Sequence, residues 1–407
     1  CFLFLLLLYG YVTLEFQSLL SYVPCLQLYT RKCIWSTDLK NQCFWEISVP
    51  VFRNIKYHRP MTKNNFNKIT KVMVGDFPDH GYMKHTYENL FDIRIWKLYE
   101  KIAEDSKKDL DNLSVFYKDH GIEVFRPKFD PYITNKWSSL SFKPPFSLSD
   151  RFFAYGDLLF YLSSTDDSQI PYFGFLRECL ERMHNDGKYV FTNPLCLETS
   201  VTQDYADADW PGNQGFSIDG PCFVPVENKI LYNRKHCNTD RGIEWIQNVI
   251  TKWYPETRFV DVSHKFTNHM DNQVRIFNEN VASSNGSVDY IKGELQEVYP
   301  GIEVIDTSVY EVDYRSFKEK IFSKDEQAVR EAEWLKSFID FDDQNGNVDV
   351  SSVSVDKNTV VQTYNTQDLD KKLEAHGLKV ETVSLRHSKF WGAGMPCETA
   401  VLEREEN

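Results

Sequence analysis

The sequence predicts an α/β protein in which five helix-to-strand units close into a ring around a central cavity. Three observations predict it. A helical stretch that stops at Gly or Pro and passes at once into a short β-rich run occurs five times. Hairpin-like stretches with turn residues at their centres lie between these units. The 407 residues, 15% of them aromatic, suffice for a large packed core. A closed ring removes sheet edges and brings loops together at its centre. The spacings between units are uneven, and a two-layer α+β domain fits the same pattern.

In chain order, "ENLFDIRIWKLYEKIAED" (88–105) has apolar residues at helical spacing and leads to the first stop and strand, "KDHGIEVFRP" (118–127). "RFFAYGDLLFYLS" (151–163) reads as a hairpin, and "NDGKYVFT" (185–192) as the second stop and strand. "CFVPVENKILYN" (222–233), the helix "GIEWIQNVITKW" (242–253) and "WYPETRFVDV" (253–262) repeat the pattern, as do "VRIFNENVASSNG" (274–286) and "VYPGIEVID" (298–306). The fifth unit is hairpin material at 340–364, the helix "DLDKKLEAHG" (368–377) and "AHGLKVETVSL" (375–385). Gly just past a helix accepts the left-handed cap, and Val, Ile, Tyr and Phe favour the strand that follows. "DFDDQNGNVDVSS" imitates a calcium loop. With Gly346 in sixth place, however, the first position is Phe341 and the twelfth Ser352, and neither can ligate as required. A hairpin turn centred on Asn345-Gly346 is expected instead.

The first 60 residues differ from the rest. They hold four of the nine cysteines (Cys1, Cys25, Cys33 and Cys43) and six Lys+Arg against three Asp+Glu, a net of +3 that leaves −16 for residues 61–407. "CFLFLLLLYGYV" is short for a membrane span and lacks the basic start of a signal peptide. The chain begins with Cys and has no Met before Met61. Residues 1–60 are therefore read as a non-native upstream extension or poorly ordered segment, with a membrane anchor as the rival, and 61–407 as a single catalytic domain. The overall charge of −13 argues against nucleic acid as a partner. Cysteines without zinc spacing suit reduced thiols in a cytosol.

Candidate chemistry is scattered. Cys397 follows Gly392, Gly394 and Pro396 in "RHSKFWGAGMPCETAVLER" (386–404), a loop delivering a thiol into a strand, which by itself reads as packing rather than chemistry, since a free Cys is usually a small buried hydrophobe. His269 and Asp271 share one side of an extended backbone in "HMDNQ". They suit a base beside a cation site, metal ligands together with His264, or a surface ion pair. Asp219 precedes a Gly-Pro turn and Asp150 stands at the mouth of a strand, both ordinary places for Asp. Together, Cys397, His269 and Asp219 make a nucleophile, an acid/base and an orienting carboxylate. Asp150 and Asp271 make a carboxylate pair for a planar guanidinium.

"DRFFAYGD", "IDGPCF…KILYN…GIEW", "HMDNQ", "EWLKS" and "GAGMPCETAVLER", in that order and spacing, resemble the guanidino-group-modifying (pentein) superfamily, and within it the arginine:glycine amidinotransferases. The resemblance runs from about Val72 to Arg404. It implies a five-bladed α/β propeller of ββαβ units with a central active-site cavity. It further implies Cys397 as nucleophile, His269 as general acid/base, Asp219 as its partner, and Asp150 and Asp271 as the seat of the donor guanidinium. A guanidino donor and an amine acceptor are then the partners, no metal or organic cofactor is needed, and a cytoplasmic enzyme, compatible with a homodimer, is expected. The chain departs from the family at the groups that recognise substrate ends. Val288 falls where an Arg grips the donor's carboxylate, with Arg275 the nearest cation. Glu331 and Ala332 stand where serines precede Trp334, Pro396 where His is common, and Ser149 where an Arg precedes Asp150. Alternatives are a hydrolase of the deiminase or dimethylarginine-hydrolase type, in which water resolves the Cys397 intermediate, and a catalytically inactive binding protein of the same fold. A metal hydrolase using His264, His269 and Asp271 lacks a further ligand with suitable spacing.

Overall fold

The structure, a computed structural model, describes residues 64–77, 93–129, 145–162, 172–192, 217–234, 239–266, 269–308, 352–363, 367–391 and 393–405. All of them lie in the compact unit Tyr57–Asn407. The segment 1–60 and the expected Asn345-Gly346 turn lie outside the described residues.

Hairpins supply the inner part of each module. In the second, β3 (Phe152–Tyr155) pairs antiparallel with β4 (Leu158–Tyr161), turning at Gly156, whose φ of +59° costs a glycine little. Helix α2 (Tyr172–Asn185) then returns the chain to β5 (Tyr189–Thr192), parallel to β4. The third module repeats this with β6 (Phe223–Val226), β7 (Lys229–Tyr232), α3 (Asp240–Trp253) and β8 (Arg258–Asp261). The fourth has β9 (Val274–Ile276), β10 (Val281–Ser284), α4 (Val288–Gln296) and β11 (Glu303–Asp306). The fifth has β12 (Ser352–Asp356), β13 (Thr359–Gln362), α5 (Gln367–Ala375) and β14 (Lys379–Thr382).

The first module is assembled from both ends of the described chain. β1 (Ile69–Val74) leads through α1 (Ile93–Asp119) to β2 (Glu123–Phe125), which pairs parallel to it. Its inner strand is β15 (Thr399–Arg404), antiparallel to β1 with Val74 opposite Thr399 and Ile69 opposite Arg404. Five three-stranded sheets of one pattern result, and the architecture is the five-bladed α/β propeller that the sequence predicts. Apolar side chains pack between neighbouring blades: Phe153 and Tyr155 of β3 share a cluster with Phe223, Ile230 and Ile246.

All five predicted stops end a helix and open a strand. Gly121, Gly187 and Gly377 take positive φ there, as the left-handed cap requires. Two details differ from expectation. Helix α1 runs on to Asp119 because Leu110, Leu113 and Tyr117 continue its buried stripe. Cys397 lies in a helical turn, α6 (Met395–Glu398), rather than a loop. Gly394 enters the turn extended, and Pro396 occupies a first-turn position where a missing N–H costs nothing.

Candidate active site

Every predicted site residue except Arg275 sits in the same structural place, the tight turn that feeds an innermost strand. Asp150 lies in the 3-10 turn Ser149–Arg151 before β3, and Asp219 caps the turn Gly220–Cys222 before β6. His269 caps the turn Met270–Asn272, which contains Asp271 and leads to β9. Cys397 lies in α6, directly before β15. These turns pack in series: the Cys397 turn on that of Asp150, which touches that of Asp219, which touches that of Asp271. Glycine makes the second contact. A Cβ at Gly220 would stand 2.1 Å from the Phe152 carbonyl oxygen and 2.6 Å from that of Ser149.

Asp219, 3% exposed, faces a cation from each oxygen. Oδ2 is 3.4 Å from His269 Nε2, and Oδ1 is 3.9 Å from Arg151 Nη1. Asp271 Oδ2 is 3.7 Å from Arg275 Nη2, four residues further along the chain on β9. Burial alone would lower the His269 pKa. Asp219, Asp150 and Asp271 together outweigh it and raise the value to about 9, so the imidazole is protonated at neutral pH. Burial pushes the Asp271 carboxyl up, against the opposing pull of Arg275, His269 and the Asn272 amide. Arg151, which burial would weaken as a cation, is held charged by Asp219 and Asp150.

Cys397 is 5% exposed and touches the apolar cluster that includes Met395 and Ala393. The segment leading to it is anchored on α1. Arg386 grips Asp109 through Nε and Nη2 (2.7–3.1 Å), and Trp391 Nε1 donates to Ser106 Oγ at 2.9 Å. Ser388 Oγ donates to the buried Glu398 beside the thiol. His264 packs edge-on against Tyr290, and among the described residues no three His, Cys, Asp or Glu side chains are grouped to hold a metal. Val288 opens α4 and packs on the core. Glu331, Ala332 and Trp334 lie outside the described residues.

The structure thus brings Asp219, His269, Asp271 and Arg275 together through ion pairs, joins Asp150 to them electrostatically, and seats the Cys397 turn on that of Asp150. Arg151 was missed by the sequence reading. Its signal is the Arg one place after Asp150 in "SDRFF". Such a cluster can keep an imidazolium ready to give up a proton beside carboxylates that suit a flat cation.

No protein-family model matches the sequence, and no curated protein matches it. Solved structures do. SxtG, an amidinotransferase from Microseira wollei in the saxitoxin biosynthetic pathway, aligns with a TM-score of 0.58 at 15% identity, covering 86% of this chain and 98% of that one. The inosamine-phosphate amidinotransferase StrB1 from Streptomyces griseus aligns at 0.58 and 14%, covering 85% and 97%. A dimethylarginine dimethylaminohydrolase aligns at 0.48 and 11%, covering 81% and 98%. The first two show that this chain has the pentein fold, the five-bladed propeller built above.

Proposed function

We propose that this chain is an amidinotransferase working through a covalent amidino-Cys397 intermediate. The observation that carries the reading is the His269–Asp219 pair at 3.4 Å, set among Asp150 and Asp271 on turns that pack in series with that of Cys397. Asp150 and Asp271 hold the donor guanidinium, and orientation in front of sulfur supplies much of the rate. Arg275, paired with Asp271, is the cation placed to meet a donor carboxylate. The Cys397 thiolate adds to the guanidinium carbon, and the C–N bond to the departing amine breaks as His269 gives that nitrogen a proton. An incoming amine then loses a proton to His269, adds to the same carbon and expels the thiolate. The raised pKa of His269 keeps the proton available for the first half of this cycle.

The test is incubation with labelled arginine and a panel of amines, with mass analysis of protein and products. Ornithine, a new guanidino compound and an amidino adduct on Cys397 are expected. Cys397→Ser should abolish turnover and adduct without changing the circular dichroism spectrum, and turnover by that variant would sink covalent catalysis at this thiol. Citrulline as product would instead assign the resolving step to water.

A further inference from the structure

We propose that the cavity on the propeller axis is a binding site for a small monovalent anion, held by the guanidinium of Arg404. This cavity, about 170 Å³ in volume, is walled by the inner strands β3, β6, β9, β12 and β15 and reaches Ser149 and Asp271 at the candidate active site. The proposed reaction makes no use of Arg404, and the anion site stands or falls independently of that reaction.

Arg404 ends β15 and lines the cavity. Its Nη1 donates to the backbone carbonyls of Asn67 and Ser354. Neutral carbonyls orient the guanidinium without neutralising it, and Arg404 makes no ion pair among the described residues, Asp356 acting on it only through its field. The other guanidinium on the wall, that of Arg275, repels it. Burial first, and Arg275 in addition, push the Arg404 pKa down to about 9 from 12.5 against the opposing pull of Tyr117 and Asp356, although part of its surface stays accessible. The neighbouring acid, Glu403, is already engaged by Lys71 at 3.2 Å and Lys188 at 3.9 Å. The charged lining comprises Arg275, Arg404 and Lys188 against Asp271 and Glu403, one positive charge in excess.

A cation in such a place needs a counter-charge or a large solvation. A monovalent anion balances the lining, and the Ser352 hydroxyl on the cavity wall, buried without a hydrogen-bond partner, supplies a further donor. A cavity of roughly 150 Å³ accepts benzene, so a halide fits, and so does a carboxylate with about five non-hydrogen atoms. The shared chemistry is a compact anion; the sources are chloride from the medium or the carboxylate of a small amino acid.

Crystals of the full chain soaked in bromide should show an anomalous peak beside the Arg404 guanidinium. Its absence from the wild-type protein would overturn the proposal whatever the variants do. In solution, replacing gluconate by chloride at constant ionic strength should raise the thermal midpoint to a plateau. Arg404→Met should lose that rise, and Arg177→Ala, an exposed change on α2, should keep it; an unchanged chloride response in Arg404→Met would also overturn the site. Should Arg404→Met not fold, Arg404→Lys retains charge without the planar fork and should need about tenfold more chloride for half the effect, and an unaltered requirement would count against the site. Loss of the bromide peak on soaking with glycine, and not with ethylamine, identifies a carboxylate as the occupant. Persistence of the peak identifies a halide.

Discussion

His269 carries a proton because three acids outweigh its burial, and the weight can be removed one acid at a time. Its folded pKa of about 9 lies above the ordinary 6.5. The native state therefore holds the proton more tightly than the unfolded chain. The stability gained is fully present below about pH 6.5 and is lost as pH rises toward 9. In Asp219→Asn the imidazole keeps its burial but loses its nearest anion, so its pKa should drop and this decline should flatten. Urea midpoints at pH 6, 7.5 and 9 check it: the wild type should lose its advantage over the variant across that range, and a constant difference would refute the assignment. Turnover should fall about 10³–10⁴-fold, as when an imidazole loses its orienting carboxylate. Asp219 and His269 were legible in the sequence because "IDGPCF" and "HMDNQ" carry the spacing on which its resemblance to the amidinotransferases rests. Arg151 was not, because the ion pair that gives it meaning joins residues whose contact only the packed turns create.

At the scale of elements, the site is a property of turns rather than of strands or helices. Four of the five inner strands are entered through a tight turn that carries a chemical group, and the turns are held together by backbone proximity. Gly220→Ala should therefore separate Asp219 from Asp150. Because the obstacle is the carbonyl oxygen of Phe152, which cannot swing aside, the loss should be at least about 3 kcal/mol, the upper end for overpacking. Gly293→Ala, inside α4 with nothing near its Cβ, should instead stabilise by about 0.5–1 kcal/mol. Denaturant midpoints of both variants test this, and similar effects from both would show that the 219–220 turn is not close-packed. The helix stops were legible because positive φ at Gly121, Gly187 and Gly377 writes glycine into the sequence. The length of α1 was not, since the sequence reading ended its apolar stripe at Asp105, whereas Leu110, Leu113 and Tyr117 continue it as far as the stop at Gly121.

At the scale of the whole propeller, the described unit is a ring closed by one pairing between its sequence extremes, β1 with β15. No local pattern announces it. "ETAVLER" reads only as a short strand, and its partner is chosen by which sheet lacks an inner strand once the other four have theirs. This closure makes the two chain ends unequal. Every described strand lies between Ile69 and Arg404, so we propose that a chain begun at Met61 contains the entire propeller and expect it to fold with an unchanged thermal midpoint and unchanged turnover. Ending the chain at Glu398 removes fewer residues yet takes away β15, unpairs β1 and opens the wall of the axial cavity. That shorter protein should expose the edge of β1, bind a hydrophobic dye and lose its cooperative transition. Scanning calorimetry of the two truncations decides between a closed ring and blades that fold separately. Separate blades would leave four-fifths of the unfolding enthalpy intact after the loss of β15, whereas a ring would lose the transition as a unit.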